Sequence, residues 1–168
     1  MNGFKNQKLI ILFMSIALTI SACNNDKKTE AMQEKNNTSL FTKGDTAPKD
    51  WFTGDAFIHP LLAKDKNNDF ALGSVTFEPG ARTIWHTHPK GQVLIVTEGN
   101  GWYQEKDKAA QAIKKGDVVN IPENVEHWHG ASADNKMVHI AITNYRGEEN
   151  VMWLQPVTDA EYSQVNKQ

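Results

Sequence analysis

The chain has 168 residues, 39% of them hydrophobic and 23% charged, with a net charge of −2 and a single cysteine. That composition excludes a disordered chain and a multi-span membrane protein, and it leaves room for about one globular domain. The lone cysteine excludes an internal disulfide, a CxxC redox pair and a cysteine-cluster zinc site. The slightly acidic balance argues against a nucleic-acid partner, which would require a basic surface to displace phosphate counterions.

Lys5 and Lys8 precede the apolar run Leu9 to Ala22, LIILFMSIALTISA, which ends at Cys23 and the polar stretch NNDKKTE. A 14-residue helix covers about 21 Å at ~1.5 Å per residue. That is short of the ~30 Å hydrocarbon core, so residues 1–22 are read as an exported leader instead of a permanent membrane span. Ile20-Ser21-Ala22-Cys23 resembles the bacterial lipobox, which implies a lipidated Cys23, membrane attachment through that lipid alone and an envelope location. The simpler reading is a cysteine that merely ends the apolar segment. Without Lys5 and Lys8 the net charge moves from −2 to about −4. Residues 23–49 are nearly devoid of apolar side chains and are expected to form a flexible polar tether.

From residue 50 onward apolar residues come in short runs broken by turn residues. FALGSVTF ends at Glu78-Pro79-Gly80, QVLIVTE at Gly99-Asn100-Gly101, and GDVVNIP at Glu123-Asn124, before MVHIAITN and VMWLQP. Their length, spacing and β-branched content predict about eight to ten antiparallel strands in a small barrel or sandwich. Glu98 to Gly101, EGNG, is expected to form a tight hairpin, and Lys115-Gly116-Asp117 another turn. TDAEYSQV, 158–165, is the one helical segment, with Thr158 as cap and Glu161 in the capping-box position. The fold class is therefore all-β with a short C-terminal helix.

Four of the six histidines fall in two H-x-H pairs, His86-Thr87-His88 and His127-Trp128-His129. Residues two apart on a strand share a face, so each pair can converge on one ion or cavity. In MVHIAITN, His139 points opposite to Val138 and Ile140, and faces the cavity if those two pack outside. It is then a candidate general base or a hydrogen-bond partner of a ligating histidine, and His129 is the alternative base. Arg82 shares parity with His86 and His88 and is expected to point inward, there to hold an anionic group or to pair with an acidic residue at the barrel mouth. Trp85 and Trp128 are read as packing between the barrel and a partner subunit; Trp51, Trp102 and Trp153 as core or interface residues.

Gly80-x5-His86-x-His88-x3-Gln92-x6-Gly99 resembles the first motif of the cupins, and Gly116-x5-Pro122-x4-His127 the second. The likeness runs from about Asp50 to Tyr162. It implies a double-stranded β-helix barrel over residues 50–168 that binds one divalent metal through His86, His88, Gln92 and His127. Gln92 stands where glutamate is usual, so the donor set is neutral and the ion keeps its full charge, unless the site has lost its metal altogether. A hard oxygen with three imidazoles suits manganese(II) first, then iron(II), with zinc or nickel as opportunistic occupants. The segments DWFTG, VTFEPGARTIWHTHPKGQ, GDVV and HWHGASADNKMVHIAI resemble more narrowly the small bacterial cupins that act as manganese-dependent hydroxynitrile lyases. That resemblance implies a lyase that cleaves or forms cyanohydrins from a small-molecule substrate, in a chain that can assemble as a homodimer or a higher homo-oligomer. The alternatives are a mononuclear metal oxidoreductase of the dioxygenase type and an envelope lipoprotein that binds a small molecule or metal without catalysis.

Overall fold

The computed structural model describes residues 39–165; the leader, Cys23 and the tether as far as residue 38 lie outside them. Within that range twelve strands and one helix follow in chain order: β1 (Asp45–Thr46), β2 (Phe52–Thr53), β3 (Ala56–Leu62), β4 (Phe70–Phe77), β5 (Arg82–Thr83), β6 (His86–Thr87), β7 (Gln92–Glu105), β8 (Gln111–Lys114), β9 (Val118–Ile121), β10 (His127–Ala131), β11 (Met137–Asn144), β12 (Met152–Trp153) and α1 (Asp159–Val165). Five strands have only two residues, too short for periodicity to reveal, which is why the sequence predicts fewer. All pairings are antiparallel, and one sheet curls in the order β1-β3-β4-β11-β7-β10-β5-β2.

The curl depends on β7. Residues 92–99 pair with β11, and residues 101–105 pair with β10. The expected EGNG hairpin is therefore a bend inside one fourteen-residue strand. Gly99 is needed there for two reasons: its φ is +69°, and a Cβ on it would lie 1.8 Å from the Lys136 carbonyl oxygen. Turn-forming residues here serve close approach and curvature, without reversing the chain.

Alternation along β7 puts Gln92, Leu94 and Val96 inside and leaves Val93 and Ile95 half-buried. Leu94 and Val96 join Phe52, Phe77, Ile113, Ile121 and Met137 in the main core. A second core lies on the other face of the sheet, where Val157, Tyr162 and Val165 cover Trp85 and Trp128. These two tryptophans therefore pack beneath the chain's own C-terminal segment, in place of the partner subunit expected for them. The helix begins in the capping box read from TDAE: Thr158 Oγ1 accepts from Glu161 N–H at 3.2 Å, and the Glu161 carboxylate accepts from Thr158 N–H at 2.7 Å.

The tether expected up to Lys49 ends earlier. Asp45 and Thr46 pair with Ile58 and Phe57, and Ala47 is buried in the main core. A two-residue edge strand of polar side chains contributes backbone hydrogen bonds alone, and hydropathy does not register those.

Candidate metal and ligand site

On β10, five residues of regular strand, His127 and His129 point into the curl while Trp128 and Gly130 point out. Across the sheet His127 pairs with His86 and Gly130 with Arg82. Three residues separate the positions on β10, but four separate them on the facing chain. The extra residue falls at Ile84-Trp85, between β5 and β6. Their amides turn away to bond the carbonyls of Trp51 and Gln155 at 3.0 and 2.9 Å.

An extra residue inverts the alternation of everything before it. His86 consequently faces inward with His127, while Arg82 faces outward with Gly130, a glycine because a Cβ there would sit 2.6 Å from the Arg82 Cα. This corrects the inward placement of Arg82. The guanidinium is 4% exposed as part of its residue and donates to Val157 O, Gly80 O and the Asp159 carboxylate, which is 2.6 Å away. It also lies 4.5 Å from the centre of the Tyr162 ring. The acidic partner expected as the alternative exists, but it is on α1 outside the barrel.

The inward imidazoles crowd one end of the curl. Ring centres are 4.2 Å apart for His86 and His127, 5.0 Å for His86 and His88, and 5.5 Å for His88 and His127. One ring nitrogen from each of His86, His127 and His129 lies within 4.8 Å of the others, a cluster compatible with a divalent metal. Main-chain carbonyls fix the tautomers: Nδ1–H donates to Ile84 O from His86 and to Val125 O from His127, both at 2.9 Å, and to Asn150 O from His88. The metal-binding lone pair is thereby placed on Nε2. Gln92, at the start of β7, donates its amide to Thr143 Oγ1 at 2.8 Å, which turns Oε1 away from Thr143. The Nε2 atoms of His88 and His127 and Oε1 of Gln92 are buried without a partner. Buried polar atoms are ordinarily satisfied, so these three, all electron-pair donors, fit a metal ion.

Burial holds every histidine of the group neutral. It pushes His127 and His139 down to about 4 and His88 below the usual imidazole range. His86 and His129 fall well below that range, through burial first and then through neighbouring imidazoles. Neutral imidazoles are the form that ligates metals and accepts protons.

A cavity of about 430 Å³ opens over this end, with His86, His88, Gln92, His129 and His139 among its lining. His139 points inward, as the alternation in MVHIAITN predicts, but stands behind His129: its Nε2 is 3.2 Å from His129 Nδ1. His129 is the nearer of the two to the donors, with its ring 5.4 Å from that of His86. His59, the sixth histidine, contacts Thr42 and takes no part.

Residues that sequence reading missed complete the lining. Thr143 shares the parity of His139 and was legible on that ground. Thr83 takes the inward position that the extra residue denies to Arg82, and its Oγ1 accepts from His129 N–H at 3.2 Å. Trp51 and Trp153, expected in the core or at an interface, line the cavity.

A curled antiparallel sheet with converging histidines at one end defines a cupin, and residues 73–143 match the cupin domain family. The chain belongs to that family. It is 49% identical over 115 residues to an (R)-mandelonitrile lyase of Granulicella tundricola, a match that covers 68% of this chain and 88% of that protein. A cupin-like protein of Thermotoga maritima is 45% identical, with a TM-score of 0.74 over 77% of this chain and 98% of its own. A cupin-2 domain from Rhodospirillum rubrum shares the fold at 17% identity, with a TM-score of 0.56 over 78% and 86% of the two chains.

Proposed function

We propose that this protein is a metal-dependent carbon–carbon lyase that cleaves or forms cyanohydrins, holding one divalent ion, preferably manganese(II), through His86, His88, Gln92 and His127. The observation that carries the reading is the set of unpartnered donors, His88 Nε2, His127 Nε2 and Gln92 Oε1, buried beside a neutral histidine pair at the base of an apolar cavity. The 49% identity to a mandelonitrile lyase across most of that protein supports it.

An ion held by His86, His88, Gln92 and His127 would supply Lewis acidity toward the oxygen or nitrile of the substrate. His129 Nδ1 and His139 Nε2 are 3.2 Å apart; in the tautomer in which His129 Nδ1–H donates, His129 Nε2 is the atom that takes the cyanohydrin hydroxyl proton. As the carbonyl forms, the bond to the nitrile carbon breaks and its electron pair departs with cyanide, which regains the proton and leaves as hydrogen cyanide. In that tautomer His139 accepts the hydrogen bond and steadies the charge on His129. Thr83 Oγ1 accepts from the His129 amide and lines the cavity, where its hydroxyl is placed to donate to substrate. The apolar walls exclude water from the carbonyl product.

Metal analysis of protein purified without added ions, paired with mandelonitrile cleavage, tests the reading. It predicts about one equivalent of metal and benzaldehyde release that is lost on chelation and restored by manganese(II). Metal-loaded protein that releases no benzaldehyde overturns it.

A further inference from the structure

One wall of the cavity is aromatic in a way that core packing does not require. Trp153, on β12, is set opposite His86 by strand pairing, and its ring lies 4.8 Å from that imidazole. Trp51 stacks on Trp153 with ring centres 5.3 Å apart and planes 12° from parallel. Phe52 leans on the inner side of Trp153 at 6.2 Å. Although Trp51 lines the cavity, 39% of its surface is exposed, so it stands at the mouth. An aromatic path thus leads from solvent to the imidazoles. Elsewhere the lining includes the aliphatic side chains of Ile58, Leu62, Val75 and Ala141.

We propose that Trp51 and Trp153 form a binding wall for a flat aryl substituent, so that the site prefers aryl to alkyl cyanohydrins of similar size. A substrate whose reacting carbon sits at the histidines has Trp153 within reach of its substituent, because that ring lies 4.8 Å from His86 and continues to Trp51 at the mouth. Ring faces attract other rings in offset or edge-on arrangements beyond what buried area provides, whereas a saturated ring gains area alone. The inference rests on the cyanohydrin reading for its substrate class.

The experiment separates the two readings by using ligands that do not react. Benzyl alcohol and cyclohexylmethanol carry the same hydroxyl on rings of similar size, one flat and one puckered. Calorimetric titration of the purified protein is expected to show benzyl alcohol bound about 3- to 10-fold more tightly, the range set by aromatic pairing. Trp51→Leu and Trp153→Leu should erase that preference while binding of cyclohexylmethanol changes little, and Trp153→Phe should keep most of it. Trp51 is the safer position, because its contribution to the sheet is a backbone carbonyl that accepts from Ile84 N–H, whatever its side chain. A parent without preference for the flat ring, or a preference that survives in Trp51→Leu, overturns the proposal. Failure of the cyanohydrin reading shows separately, as absence of benzaldehyde release from mandelonitrile by the parent.

Discussion

Replacing Arg82 with methionine keeps an unbranched stem in the same space and removes the guanidinium. The carbonyl of Val157 loses both donors recorded for it, at 3.1 and 3.4 Å. A buried acceptor left unpaired costs about 1–3 kcal/mol. The cation stacked on Tyr162 adds about 1 kcal/mol. The ion pair adds little, at most about 1 kcal/mol, because the Asp159 side chain is 95% exposed. The expected loss is therefore about 3 kcal/mol, which in a domain of this size lowers Tm by about 10 °C. Asp159→Ala, which removes the exposed partner alone, should lower it by no more than about 3 °C. Differential scanning calorimetry measures both, and metal content and KM for mandelonitrile should stay at parental values in each variant. A tenfold rise in KM with Tm unchanged would place Arg82 at the substrate and refute the register argument.

Gln92→Glu keeps the side-chain shape, and Thr143 can donate to a carboxylate as readily as it now accepts from the amide; metal dissociation should slow and cyanohydrin cleavage should also slow, each about 10-fold. Tighter metal with undiminished turnover would sink the account of a neutral donor set. Acid should destabilise the metal-free protein: His127 and His139 stay neutral in the fold down to about pH 4, whereas the unfolded chain protonates them near 6.5. The unfolded state thus binds more protons between those values, and stability should fall there by up to about 1.4 kcal/mol per pH unit for each. Thermal melts from pH 7 to pH 4 check this, and a flat Tm contradicts it. Cys23→Ser should release the protein from the membrane fraction or leave an unprocessed precursor, whereas a processed product still bound to membrane would count against lipidation.

Residue alternation made much of this architecture legible, but only where strands are regular. β10 has no irregularity, so the shared inward face of His127 and His129 could be read directly from H-x-H. His139 was legible because Val138 and Ile140 flank it on the opposite face and β11 pairs with β4 without a break, although its pairing with β7 shifts register between Val138 and His139. Arg82 was not, because one additional residue at Ile84-Trp85 inverts its face, and nothing local in ARTIWH announces that residue; only pairing with β10 reveals it. EGNG misled because glycine serves a positive φ or a close backbone approach equally well, and the Lys136 carbonyl that demands the glycine lies far along the chain. Sequence alone reads Trp51 and Trp153 as core or interface residues because burial and cavity lining draw on the same side chains, and only the curl of the sheet separates the two uses.

The tautomers of His86 and His127 are each held by the carbonyl two residues earlier in the chain, just before the strand begins, and that of His88 by the Asn150 carbonyl. Main-chain atoms are common to all amino acids, so substitutions at Ile84, Val125 or Asn150 leave these acceptors in place. The donors are thereby insulated from genetic drift in their surroundings. Walls such as Trp51, Ile58 or Val75 are free to vary under selection for different substrates while the nitrogen lone pairs stay aimed at one point. A scaffold wired in this way can diversify its specificity without having to reinvent its chemistry.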